Sequence, residues 1–184
     1  MSIFQFWRKG GPPIPPEPPL TQSSYAGAGC IFTDGIHVLG GWQPRKRNPG
    51  VTGIGGSKLP NETYLTTAYR ETVEELLHVK TVSPRVIDNL KRSLVPRKIL
   101  ESNGYVSVIL NFDDLKTFLA VCKKSGVQTT LYPKFPLTLD ALLRTRKLYD
   151  TTEIEILGLF PVVRTLGKRN KYMREDFLKD MESL

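Results

Sequence analysis

The 184-residue chain has only two cysteines, Cys30 and Cys122, and only two histidines. Two thiols so far apart form no disulfide framework and lack metal-binding spacing. Cys30 lies in an apolar, strand-like run and Cys122 in a helix-like one, so both read as buried thiols of a reducing compartment. The expected location is therefore intracellular, cytoplasmic or nuclear. The absence of a Cys/His cluster argues against zinc. His37 has no acidic neighbour and no second histidine at metal spacing, and reads as structural. No apolar run approaches the ~20 residues that span a bilayer. The segment MSIFQFWRKGG has no long apolar core of the kind a secretory signal carries, so no membrane partner is expected.

The chain contains 40% hydrophobic and 24% charged residues. That is ordinary for a globular protein, and the length suits one domain with a sizeable core. The formal charge is +8, from 26 Lys and Arg against 18 Asp and Glu. A positive field attracts nucleotides, RNA or inositol phosphates and speeds their encounter. A solubility surface with no specific partner is the plainer alternative.

Residues 1–22 read as a Pro-rich arm, with six prolines among residues 11–20, a composition that favours polyproline II and packs no core. Phe4, Phe6 and Trp7 precede it. The arm is open to three readings: a hook for a protein partner, docking on its own domain, or disorder. Residues 23–184 form the domain proper. Tyr25–Gln43 reads as a β-hairpin turning at Asp34-Gly35. A loop then holds Arg45, Lys46 and Arg47 in a row, which are either solvated or in contact with a phosphate. Ser83-Pro84 opens a helix over Arg85–Leu94. Lys98–Ser102 and Tyr105–Phe112 flank Asn103-Gly104, a strong hairpin signal. Asp113-Asp114 caps a helix with Leu115, Phe118, Leu119 and Cys122 on one side. Val127–Pro136 is a loop and Thr138–Arg146 a short helix. Glu153–Val163 is a strand and Lys171–Leu184 an amphipathic helix. This order predicts one α/β domain with a mixed β-sheet.

The stretch from Gly55 to Val79 organises the rest. Paired glycines and a loop lead into a helix from Tyr64. Leu65, Tyr69, Thr72, Val73 and Leu76 form its apolar stripe. Glu71, Glu74 and Glu75 crowd near its end, where i, i+3 and i+4 share a face. Three like charges there repel one another unless something positive sits between them. Grouped hard oxygen donors suit Mg²⁺ or Mn²⁺.

Gly56, Glu62, Arg70-Glu71 and Glu74-Glu75 match the spacing Gly-x5-Glu-x7-Arg-Glu-x2-Glu-Glu at six positions, a coincidence on the order of 10⁻⁷ per start. This segment resembles the Nudix box. The resemblance implies an α/β/α sandwich with a mixed sheet and a metal-dependent pyrophosphohydrolase. Its substrate would be a nucleoside diphosphate-linked compound, either a phosphorylated small molecule or capped RNA. It also implies that Glu71, Glu74 and Glu75 hold metal, with a carbonyl of Gly56 and the Glu62 side chain as further donors, while Arg70 orients the acids. The general base is Glu71 or, off the helix, Glu153, with Glu155 behind it. Residues 112–150 fall outside the resemblance as a family-variable insertion, the natural place for substrate specificity. Leu77 stands where the pattern has glycine, so the helix is expected to run on or end differently. The alternative function is a non-catalytic module of the same fold that binds RNA or a protein partner.

Overall fold

The computed structural model describes residues 13–21, 24–46, 48–149, 151–162 and 172–184. Among the described residues, seven strands and five helices make a mixed α/β domain: β1 Gly27–Phe32, β2 His37–Gln43, β3 Gly50–Thr52, β4 Ile54–Ser57, α1 Tyr64–Leu77, α2 Pro84–Ser93, β5 Lys98–Ser102, β6 Tyr105–Leu110, α3 Phe112–Lys124, α4 Leu139–Arg144, β7 Ile156–Pro161 and α5 Glu175–Glu182. One sheet has the order β4-β1-β6-β5 and the other β3-β2-β7. The β1–β6 pair is parallel, and the remaining pairs are antiparallel.

Alternation along β1 and β6 separates two apolar clusters, as the period-2 geometry of a strand requires. Ala28, Cys30, Phe32, Val106, Val108 and Leu110 face the cluster that holds the buried side chains of α1, α2 and α3. Ile31 and Ile109 face the opposite cluster with Phe177, Leu178 and Met181 of α5. Helices thus cover both faces. Among the described residues no helix is long and apolar enough to cross a membrane.

The expected hairpin over Tyr25–Gln43 is not one. Its two strands lie in different sheets, joined by a single bridge from Thr33 to Val38. Both edges of β1 are already taken, by β4 and by β6, so β2 must pair elsewhere. The turn is held by Asp34, whose Oδ1 accepts the Ile36 and His37 amides at 2.8 and 2.6 Å. Asp34 also supplies the acidic neighbour that His37 was expected to lack, 3.4 Å from Nδ1. The second predicted hairpin is present as β5–β6, with Asn103 and Gly104 at φ 49° and 75°. Those two positive angles are what a type I′ turn demands. The cap of α3 is Asn111, two residues before Asp113, with Asp114 completing a reciprocal capping box. The last strand starts at Ile156, and the terminal helix at Glu175.

Within residues 13–21 the chain docks on its own domain. Glu17 Oε1 accepts from Thr63 Oγ1 at 2.6 Å and from Lys91 Nζ at 2.7 Å. The Tyr64 hydroxyl donates to the Pro18 carbonyl, and Leu20 packs on the main core. Phe4, Phe6 and Trp7, together with Arg47 and Lys171, lie outside the described residues.

Candidate active site

The α1 helix starts at Thr63, whose hydroxyl accepts the Thr66 amide at 3.4 Å. Ten of its fourteen residues are buried, so it runs through the core with only a narrow open face. Thr72 sits on the buried side, and its hydroxyl donates to the Ala68 carbonyl at 2.7 Å. That bond satisfies a polar atom which would otherwise destabilise the core. The helix ends at Leu77, and His78 takes the left-handed conformation at φ 54°. The family pattern puts glycine at 77, where a helix ends easily in that conformation. Here Leu77 is the last helical residue, and the histidine after it occupies the left-handed site.

Arg70 is the positive partner on the open face, and only 8% of it is exposed. Its Nε and Nη2 donate to both oxygens of Glu62 at 2.7 and 2.9 Å, and Nη2 also reaches the Ser57 carbonyl at 2.8 Å. Nη1 donates to Glu71 at 2.7 Å and to Glu74 at 3.0 Å. Glu62 further accepts from Thr67 Oγ1 and from the Leu59 amide. These bonds, those of Arg70 foremost, hold the Glu62 carboxyl down at about 2. Glu62 is thus fully engaged and separated from the helix acids by the guanidinium.

Glu75 points away from Arg70. It accepts the Gly55 amide at 2.7 Å and contacts Gln43 Nε2 at 3.3 Å. Burial, aided by the charges of Glu153 and Glu71, raises its carboxyl to about 8. Burial also raises Glu74. The glycine pair belongs to strand β4, where a loop was expected, and the reason is steric. A methyl on Gly56 would fall 2.5 Å from the Glu71 carboxyl carbon, and one on Gly55 would strike the Tyr105 hydroxyl and Gly29 of β1. Gly55→Ala should therefore part β4 from β1 and destabilise the fold by about 1–3 kcal/mol, measurable by urea unfolding.

Glu71 and Glu74 open onto a cavity of about 620 Å³. Lys46 and Glu153 line it too, joined by a 2.9 Å ion pair. Arg45 is paired with Glu155 at 2.8 Å and lies outside the lining. The far wall comes from α5 and the segment before it, with Arg174, Asp176, Phe177 and Asp180, together with Ser107 of β6. Asp180 accepts the Ser107 hydroxyl at 2.6 Å, and burial raises its carboxyl. No described residue of 112–150 lines this cavity, whereas residues of α5 do. Residues of 112–150 lie behind α1 instead: Arg146 and Tyr132 hydrogen-bond to the carbonyls at the helix end. Sequence reasoning missed Gln43, Arg146 and the α5 wall because none of them carries a local motif.

Among the described residues no group of three or more His, Cys, Asp or Glu side chains is arranged to hold a metal ion. The arginine accounts for this. It draws Glu71 and Glu74 towards itself, while Glu75 turns to Gly55 and Gln43. The donor set nonetheless suits a hard divalent cation: three carboxylates on adjoining helical positions, all oxygen, beside a strand kept bare of side chains at Gly55 and Gly56. Glu71, Glu74 and Glu75 are the residues that would hold it.

Fold and site together define a mixed α/β domain with a carboxylate-walled cavity beside its longest helix. No protein-family model matches the chain, and no curated protein matches it. Two solved structures of a bifunctional NMN adenylyltransferase/ADP ribose pyrophosphatase from Francisella tularensis are similar to it. The one complexed with AMP and a Mn ion has 14% identity over 88% of this chain and 41% of its own, with a TM-score of 0.45. The other has 14% identity over 91% and 42%, with the same TM-score. This chain spans about two fifths of that protein's length. At that identity the likeness assigns no residue a role.

Proposed function

We propose that the chain is a divalent-metal-dependent pyrophosphohydrolase that cleaves a nucleoside diphosphate-linked substrate by water attack on phosphorus. The observation that carries this reading is the convergence of Glu71, Glu74, Lys46 and Glu153 on one cavity. A bound divalent cation supplies charge neutralisation at the phosphates and acidifies water. The protein's own groups do the rest. Lys46 draws in the diphosphate, and as it turns to phosphate it releases Glu153 from their ion pair. Glu153 then accepts a proton from the attacking water. Arg70 keeps Glu71 and Glu74 oriented through its planar fork. On the far wall, Asp180 and Asp176, the latter paired with Arg174 at 3.3 Å, suit the hydroxyls and N–H donors of a nucleoside. A capped RNA fits the same scheme, with the +8 charge attracting the rest of the strand.

The test is turnover of a panel of nucleoside diphosphate-linked compounds and capped RNA with Mg²⁺ or Mn²⁺, repeated with chelator. Hydrolysis that chelator stops supports the reading, and no hydrolysis across the panel rejects it. For capped RNA, cleavage should fall steeply with added salt. A second reading, a non-catalytic module that binds RNA or a protein, is favoured by one observation. Arg70 already pairs with both Glu71 and Glu74, at 2.7 and 3.0 Å.

A further inference from the structure

Arg146 lies just past α4, in the stretch that packs behind α1. Its Nη1 donates to the Leu76 carbonyl at 2.9 Å and to the Tyr132 hydroxyl at 3.0 Å. Its Nη2 donates to the Glu75 carbonyl at 3.1 Å and to the Ile154 carbonyl at 2.8 Å. The Tyr132 hydroxyl itself donates to Leu76 at 3.1 Å, and the Lys147 amide is anchored on the Leu131 carbonyl. The last carbonyls of a helix have no partners within it and attract positive charge. The last turn of α1 has no basic residue of its own. Arg146 supplies that charge from 70 positions away. Nearby, His78 stacks on Tyr149 with ring centroids 6.5 Å apart.

The same guanidinium that holds Glu75 and Leu76 also holds Ile154, whose chain neighbour Glu153 lines the same cavity as Glu71 and Glu74. One rigid, planar group therefore spans the backbone of the acid-bearing helix and that of the segment carrying Glu153. Where the helix lacks the pattern's glycine, its ending and its spacing from Glu153 are set by a side chain from outside the motif.

We propose that Arg146 is a positioning residue that fixes the Glu153 segment against the carboxylate end of α1. The proposal rests on the hydrolase reading only in treating those acids and Glu153 as one site. The test compares Arg146→Met, Arg146→Lys and Arg146→Ala with the unaltered chain. Arg146→Met should lose about 10–100-fold in kcat, as when a group that orients a metal ligand is removed, with KM little changed. Arg146→Lys should recover part of the loss, because an ammonium can still bond one or two of the carbonyls. In Arg146→Ala, millimolar guanidinium should restore turnover and urea should not. Amide hydrogen exchange, read without substrate or metal, should quicken in 75–79 and 152–156 together in the Met variant. A kcat per folded molecule equal to that of the unaltered chain would overturn the proposal, as would faster exchange at the helix end alone. Should the unaltered chain hydrolyse nothing, the hydrolase reading fails and the exchange result still decides the role of Arg146.

Discussion

Glu74→Gln should lower kcat by about a thousandfold, the loss expected when several kcal/mol of charge stabilisation leave the transition state. Stability should hardly change. Glu74 is partly open to the cavity, and among the described residues its one side-chain hydrogen bond is accepted from Arg70 Nη1 at 3.0 Å. An amide oxygen can accept the same bond, so the fold has little to lose. Steady-state turnover and a thermal melt on one preparation separate the two effects. A variant as active as the unaltered chain would remove Glu74 from the chemistry.

Arg70→Met should have the largest effect on stability, about 3–5 kcal/mol in urea unfolding, because removing one partner strands buried charges on the other. Glu62, Glu71 and Glu74 would lose their shared partner, and the Ser57 carbonyl would lose a donor. For a chain of this length that corresponds to a fall in Tm of roughly 10 °C. Mg²⁺ or Mn²⁺ should then raise the Tm of Arg70→Met more than that of the unaltered chain. With the guanidinium gone, the helix acids depend on the cation alone, and a ligand that binds only the folded state stabilises it. Equal metal-induced shifts in the two proteins would mean that the cation does not sit among these acids.

Much of the fold follows from local patterns. The Asn103-Gly104 turn, the Ser83-Pro84 start of α2 and the stripe of α1 are each set by nearby residues, and each lies where its pattern predicts. The first hairpin does not form because pairing is decided by competition. Local alternation marks Gly27–Phe32 and His37–Gln43 as strands, but β4 and β6 claim both edges of the first. The glycine pair looked like a loop from composition, whereas the close approach of Glu71 and Tyr105 requires it inside a strand.

The candidate site was legible to the extent that its residues share one helix. Arg70 and Glu71, Glu74 and Glu75 are neighbours because helical geometry makes them so. That Arg70 binds Glu62 through both oxygens, and so holds it apart from the other acids, depends on how the segment before the helix folds back. Lys46–Glu153 and Arg45–Glu155 join residues more than a hundred positions apart, and nothing in either segment announces its partner. The α5 wall is hidden for a similar reason. Its alternation of Asp176, Phe177 and Asp180 looks like any amphipathic helix until α5 lies against β3 and β5.

The central claim is that water attacks phosphorus at a site held by the α1 acids. Hydrolysis of a nucleoside diphosphate-linked substrate in ¹⁸O-labelled water tests it most directly, with Mg²⁺ present and product phosphates read by mass spectrometry. The account predicts one labelled oxygen in a phosphate product of the unaltered chain, and about a thousandfold less labelled product from Glu74→Gln in the same time. Label absent from the phosphates despite turnover, or equal labelling by the variant, would contradict it.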